Sequence, residues 1–206
     1  MKSQLNKTKI NDCICDNQSN SNSSNKVEKL KLCIDSMSQN QKYKFWIKTL
    51  ISSYKTIPKI IQAIDKIIEL QASSVSFTTN IFNKKNTTMS QVENVIDLTE
   101  RKSSLLNIYV MTKNMLSSLS EEHFEFIEKK YIYDWSNEEL SNYYSISIRT
   151  VYRKVYKIID EICAYSIKKN WSFKFIENQI KNEGWLKDKY SKLINEYFKN
   201  NNYKLS

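Results

Sequence analysis

Within 206 residues the chain has one proline, Pro58, and one glycine, Gly184. Glycine reaches positive φ without steric cost and proline fixes φ near a turn value, so tight hairpins, bulges and phosphate-cradling loops draw on both. A chain almost without them is poorly supplied for sheets, and the sequence predicts an all-α protein. Its length suits one moderate domain or two small ones, with a buried fraction high enough for an ordinary core without staples.

Apolar spacing sets the order of the expected parts. Residues 1–26, ending CDNQSNSNSSNK, hold too few apolar groups to offset the entropy of ordering and are expected to form a disordered polar tail. Residues 27–118 are expected to form a helical N-terminal region, in which apolar residues return at helical spacing from VEKLKLCIDSM onward. In QKYKFWIKTLISSY, Phe45, Ile47, Leu50, Ile51 and Tyr54 lie close to an i, i+3, i+4, i+7 pattern. TIPKIIQAIDKIIEL offers Thr56 as a cap, Pro58 in the first turn, and a stripe of Ile60, Ile61, Ile64, Ile67 and Ile68. ASSVSFTTNIFNKKNTT, residues 72–88, reads as a loop. The next stretch, with Val92, Val95, Ile96, Leu98, Leu105, Leu106, Ile108, Tyr109, Met115, Leu116 and Leu119 in register, predicts one long helix or two end to end. Serines 117, 118 and 120 break it, and Ser120 before Glu121 and Glu122 suits a new helix start. In the C-terminal segment, 166–206, Trp171, Phe175, Ile176 and Ile180 form one stripe, and Trp185, Tyr190, Leu193, Ile194 and Tyr197 form another. Gly184 between them is expected to stop a helix, and the last residues are expected to fray.

Lysine and arginine number 32 against 22 acids, a formal net charge of +10. Such a balance favours an anionic partner, nucleic acid or a membrane surface, although a composition rich in Lys, Asn and Ile together lessens the weight of charge alone. No apolar run approaches the roughly 20 residues of a membrane helix, and MKSQLNKTKINDCICDNQSN lacks the apolar core of a signal peptide, so a cytoplasmic protein without a membrane partner is expected. Cysteines at 13, 15, 33 and 163 fit neither a zinc ribbon nor a redox C-x-x-C motif. Free thiols are expected, with Cys163 packed as a small hydrophobe, and no metal or cofactor is expected. His123 is the single histidine, which leaves no His-based catalytic triad and no multi-histidine metal site; it reads as a surface or packing residue. The acid pairs 121–122, 138–139 and 160–161 fall at helix starts or on helix surfaces, so no enzyme is expected.

Residues 119–165 carry the functional signal. SEEHFEFIEKKYIYDW predicts a helix with Leu119, Phe124, Ile127 and Tyr131 inward. A second helix starts after Ser136, with Glu139 in capping-box position, and stops at SIS. A third starts after Ser147 and runs from Ile148 through Ile162. At about 100° per residue, Ile148, Val151, Val155, Ile158, Ile159 and Ile162 gather into one buried stripe, while Arg149, Thr150, Arg153, Lys154 and Lys157 fall on the other side. The cations concentrate toward the N-terminal half, where the helix dipole adds to attraction for phosphate. A solvated basic face on a core helix is the alternative, and the compact turn between two serine-capped helices argues against it.

The stretch LSEEHFEFIEKKYIYDWSNEELSNYYSISIRTVYRKVYKIIDEI resembles the helix-turn-helix of sigma-70 region 4, through Ser136, Glu139, Leu140, Ser141, Ile146, Ser147, Thr150, Val151 and Arg153. With YKTIPKII and SQVENVIDLTERKSSLLNIY ahead of it, the layout over about residues 50–165 is similar to phage transcription regulators of the ArpU and RinA type. Two positions depart from the pattern: Ser145 stands where a turn glycine is usual, and Ile148 where a base-contacting cation is common. The resemblance implies a sequence-specific DNA-binding transcription regulator whose partners are double-stranded DNA and RNA polymerase. Under it, Ser147 and the region starting at Ser136 approach backbone phosphates, and Arg149, Thr150, Tyr152 and Arg153 face the major-groove floor. Lys154 and Lys157 are then expected to hold phosphates.

A different class stays open: a helical adaptor that binds RNA polymerase or a phage packaging component without reading DNA. A complete sigma factor is less well matched, since no aromatic-rich promoter-melting segment can be placed in 27–118. The C-terminal aromatics, including Trp171, Phe173, Phe175, Trp185, Tyr190, Tyr197 and Phe198, suit a helical core better than stacking on single-stranded bases, with a surface for polymerase or a second subunit between these readings.

Overall fold

The computed structural model describes residues 37–77 and 88–202. The expected polar tail, Cys13, Cys15 and Cys33, residues 78–87 of the expected loop and the last four residues lie outside the described residues. The protein is all-α: the described residues form eight α-helices and one π-helical turn, with no strand among them.

Ser38 opens the first helix, α1 (Gln39–Ser53), with a capping box: the Gln41 amide donates to Ser38 Oγ at 3.2 Å, and the Ser38 amide donates to Gln41 Oε1 at 3.1 Å. After a two-residue turn comes α2 (Thr56–Phe77), in which Thr56 is already helical and Pro58 sits in the first turn. Then α3 (Thr88–Ser117) runs 30 residues as one helix. A long helix needs no caps in its middle, and its apolar positions fall on two faces, with Leu105, Ile108, Met111 and Met115 buried and Val92, Ile96, Leu106 and Val110 exposed. α4 (Glu121–Ile127) passes into a π turn at Glu128–Ile132, followed by α5 (Asn137–Tyr143), α6 (Ile148–Lys168), α7 (Phe173–Ile180) and α8 (Gly184–Asn202).

α1 sits at the centre. Tyr43, Phe45, Trp46, Ile47, Leu50 and Ile51 are buried around most of its circumference, because α3, α6, α7, α8 and the π turn all pack on it. Its buried hydroxyls are satisfied within the helix: Thr49 donates to the Phe45 carbonyl at 2.8 Å and Ser53 to the Thr49 carbonyl at 2.7 Å. Trp46 stacks on Tyr190 of α8 at 4.0 Å, Phe45 meets Tyr197 edge-on at 5.3 Å, and the Tyr43 hydroxyl donates to the Trp171 carbonyl at 2.6 Å. The C-terminal aromatics therefore close the core around an N-terminal helix. The expected boundary at 165–166 falls inside α6, and one hydrophobic cluster joins residues of all three expected parts.

α2 and α3 form an antiparallel hairpin, with Tyr54 stacked on Tyr109 at 5.1 Å at one end and Lys102 paired to Asp65 at 2.5 Å farther out. Glu183, 1% exposed, fastens α3 to the start of α8: Arg101 donates to both of its oxygens, at 2.8 and 3.0 Å, and the Trp185 indole donates to Oε2 at 2.7 Å.

Several expectations are corrected. Residues 72–77 are helical rather than loop, since β-branched and serine residues lower helix propensity only slightly and cannot stop a helix already propagating. Gly184 does not stop a helix; it is the first residue of α8 and does not take positive φ. Ile67, Val92, Ile96, Leu106 and Phe175 belong to helical stripes but are exposed, because no described element packs closely over those faces.

Lys48 is the uncomfortable member of α1. Its ammonium lies 5.0 Å from the Phe45 ring and 5.4 Å from the Tyr156 ring, and burial, reinforced by Lys44, pushes its pKa from 10.5 down to about 8. Between those values the unfolded chain holds a proton that the folded chain has released, so this group's contribution to stability rises with pH through that window. Lys48→Met is expected to stabilise the protein by roughly 2–3 kcal/mol below pH 8, the gain fading as pH approaches 10.5. Denaturant midpoints measured for both proteins across that range check it.

Candidate nucleic-acid interface

Three helix starts in this region follow one rule, a serine side chain accepting the amide three residues on. Ser120 accepts from His123 at 3.4 Å, Ser136 from Glu139 at 3.1 Å, and Ser147 from Thr150 at 3.1 Å. At α5 the box is reciprocal, since the Ser136 amide donates to Glu139 Oε2 at 2.6 Å.

The turn between α5 and α6 is closed from its carbonyl side. The Ile146 amide donates to the Ser141 carbonyl at 3.0 Å and the Ser145 amide to the Asn142 carbonyl at 3.3 Å, with Ser145 left-handed at φ 52°. This is a Schellman stop with serine where glycine is usual. The Ser141 hydroxyl also donates to the Ile146 carbonyl, which ties both ends of the turn together. Serine thus accepts the left-handed conformation rather than remodelling the turn, at a cost of about 1 kcal/mol.

α6 is amphipathic along its length. Val151, Val155, Ile158, Ile159 and Ile162 are buried, and below them Leu140 of α5 and Phe126 of α4 are fully enclosed. Cys163 packs beside them as a small apolar group, its thiol pushed up to about 11 by burial. Ile148, expected in this stripe, is instead 42% exposed: it is the first helical residue and projects past the end of the α5 contact. Arg149, Arg153 and Lys157 follow one another at i, i+4 and i+8 on the opposite face and are exposed, with Tyr152 and Tyr156 beside them. Ser147 and Thr150 stand at the N-terminus of this stripe, their hydroxyls 2.8 Å apart.

Lys154 does not belong to that face. It lies about 140° around the helix from Arg149. Its ammonium pairs with Glu122 of α4 at 2.5 Å and rests 4.8 Å from the Phe126 ring and 5.4 Å from the Tyr144 ring. Rather than standing free for a phosphate, it fastens α4 to α6, and it holds the Glu122 carboxyl below the usual carboxylate range.

Acids near the stripe are engaged internally. Asp160 pairs with Lys44 of α1 at 2.5 Å, Glu161 meets His123 at 2.8 Å, and Glu125 pairs with Lys129. Glu139 is held below the carboxylate range by the backbone and hydroxyl of Ser136. Among the described residues no ion pair includes Arg149, Arg153 or Lys157. Sequence reading missed Lys44 and Lys48, which reach Asp160 and Tyr156 from α1; only packing brings them there, although their i, i+4 spacing was visible. It also missed Lys129, set 5.6 Å from the Trp135 ring and 4.7 Å from the Tyr143 ring, which props the approach to α5.

Among the described residues no cluster of three or more potential metal ligands exists, and no helix is long and apolar enough to cross a membrane. No known protein family, curated protein or solved structure matches this chain.

Two substitutions probe the frame without touching the cations. Ser145→Gly is expected to stabilise the fold by about 0.5–1 kcal/mol by relieving the left-handed strain, and Ser136→Ala to cost about 1 kcal/mol by removing a cap. Chemical denaturation of both variants gives the signs directly.

Proposed function

We propose that the chain is a sequence-specific DNA-binding transcription regulator that places the N-terminal turns of α6 in the major groove, in the manner of a sigma-70 region 4 helix-turn-helix, and acts with RNA polymerase. The observation that carries this reading is the stripe of Arg149, Arg153 and Lys157: exposed, in no ion pair among the described residues, and opposite five buried aliphatic residues. A solvated core helix has no need to keep three cations clear of acids when acids are near. Here Asp160, Glu161 and Glu122 are all committed to other partners.

In this reading Arg149 and Arg153 read base edges, since a guanidinium matches the two acceptors of guanine through parallel hydrogen bonds. Thr150 presents its methyl group on one flank of the stripe while its hydroxyl engages Ser147, and Tyr152 stands on the other flank. Lys157 and the amides at the starts of α5 and α6, next to Ser136 and Ser147, hold phosphates and set register. Lys154 acts through Glu122 by keeping α4 and α6 in place, so its loss lowers stability before it lowers affinity.

Arg149→Ala and Arg153→Ala are each expected to cost roughly 1–3 kcal/mol of specific binding and to relax sequence preference at one position. Lys157→Ala is expected to weaken specific and random duplexes alike and to lessen the salt slope by about one. Salt-titrated binding to sequences selected from a random pool measures both. Equal losses on specific and random duplexes for all three variants would refute base reading by α6. Capture of RNA polymerase with no duplex affinity even at low salt would favour the adaptor function instead.

A further inference from the structure

Beyond Ile64 on α2 and before Leu105 on α3, the hairpin is an arm: among the described residues of these stretches none is buried. One side of α3, carrying Val95 and Leu98, faces α2. A second side faces outward, and it is not polar. Val92, Ile96, Leu106 and Val110 are 48%, 51%, 41% and 51% exposed, and Met89 is exposed before them. With Thr99 and Ser103 between, these residues recur at alternating steps of three and four, the repeat of a coiled-coil seam, over three heptads. Of the two central polar residues, Thr99 donates its hydroxyl to the Val95 carbonyl at 2.7 Å, so that group is already satisfied within the helix.

The two ends of this seam differ in shape. At the arm end Val92 and Ile96 line a shallow apolar hollow with Gln71 and Ala72 of α2 and with Gln91 and Val95 of α3. At the core end Leu106 and Val110 floor an open groove whose other wall is Trp171, Phe175 and Gln179 of the α7 region. Charge differs in the same sense: the arm end is rimmed by the exposed acids Glu93, Asp97 and Glu100, whereas α7 beside the groove exposes Lys174 and Lys181 against a single acid, Glu177. An exposed apolar seam whose two ends carry opposite charge is complementary to itself under a two-fold rotation.

We propose that the protein forms a two-fold dimer in which α3 packs antiparallel on α3 of a second copy. The seam then pairs Val92 with Val110, Ile96 with Leu106 and Thr99 with Ser103, on an axis near residue 101, and each acidic arm end lies beside the basic α7 end of the other copy. A parallel pairing would instead set the acidic rims of the two arms side by side. The dimer uses none of the α6 cations, so it stands or falls independently of the proposed DNA reading.

The test uses the full chain and two variants at exposed seam positions, Ile96→Glu and Leu106→Lys, with unchanged helical circular dichroism as the folding control. Sedimentation equilibrium is expected to show the unaltered chain as a dimer and each variant alone with dimerisation weakened at least about a hundredfold, because each would bury unpaired charges at two layers. Mixing the two variants is expected to restore a heterodimer, since the antiparallel register places the new carboxylate of one chain opposite the new ammonium of the other and leaves the second layer native. A monomeric unaltered chain, variants that still dimerise, or variants that do not recover on mixing would each overturn the proposal.

Discussion

Burial of α1 on nearly all sides is the constraint on which the rest of the structure depends. A helix enclosed this fully cannot be covered by one neighbour, and the chain recruits covers from both directions of the sequence: α3 and α6 downstream, then α7 and α8 from the far end. The Trp46–Tyr190 stack and the Tyr43 bond to the Trp171 carbonyl fix those distant segments at their two edges. α6 takes its orientation from this arrangement. Its aliphatic face packs toward α1 and α5, and only one direction remains for the face carrying Arg149 and Arg153.

A chain with a single glycine still has to stop its helices, and it does so with residues that bond their own turns. Asp134, Ser145 and Asn170 all take left-handed φ, and none is glycine. Ser145 and Asn170 close Schellman turns, the Trp171 amide reaching the Ser166 carbonyl at 3.0 Å in the second case. Polar side chains tolerate this conformation better than branched ones, which suits their placement at the ends of the π turn, α5 and α6. The stop after α5 fixes the angle at which α6 departs.

Electrostatics are apportioned by packing as well. Acids near the basic stripe are matched to other cations: Asp160 to Lys44 of α1 and Glu122 to Lys154 of α6 across helices, and Glu125 to Lys129 one turn on in its own helical segment. Surface pairs of this kind add little stability individually. Their larger effect is on the field, because Arg149, Arg153 and Lys157, in no ion pair among the described residues, lie together on one exposed face of α6, where like charges add into one positive potential.

Read from the residues alone, the all-α class, the starts of α4, α5 and α6, and the inward register from Val151 to Ile162 were determined, since caps and 3.6-residue periodicity are local properties written in adjacent side chains. The same reading overextended the apolar stripe to Ile148, sought a stop at Gly184 and ended α2 too early, because exposure and helix length depend on what packs against a segment. Tertiary structure alone decided that Lys154 turns to Glu122 while Arg149, Arg153 and Lys157 stay outward, that Lys44 cancels Asp160, and that one of two apolar faces of α3 is left exposed by the described residues. Periodicity states that a face is apolar; only the placement of distant helices, brought together by the burial of α1, determines which faces are covered and which stay exposed.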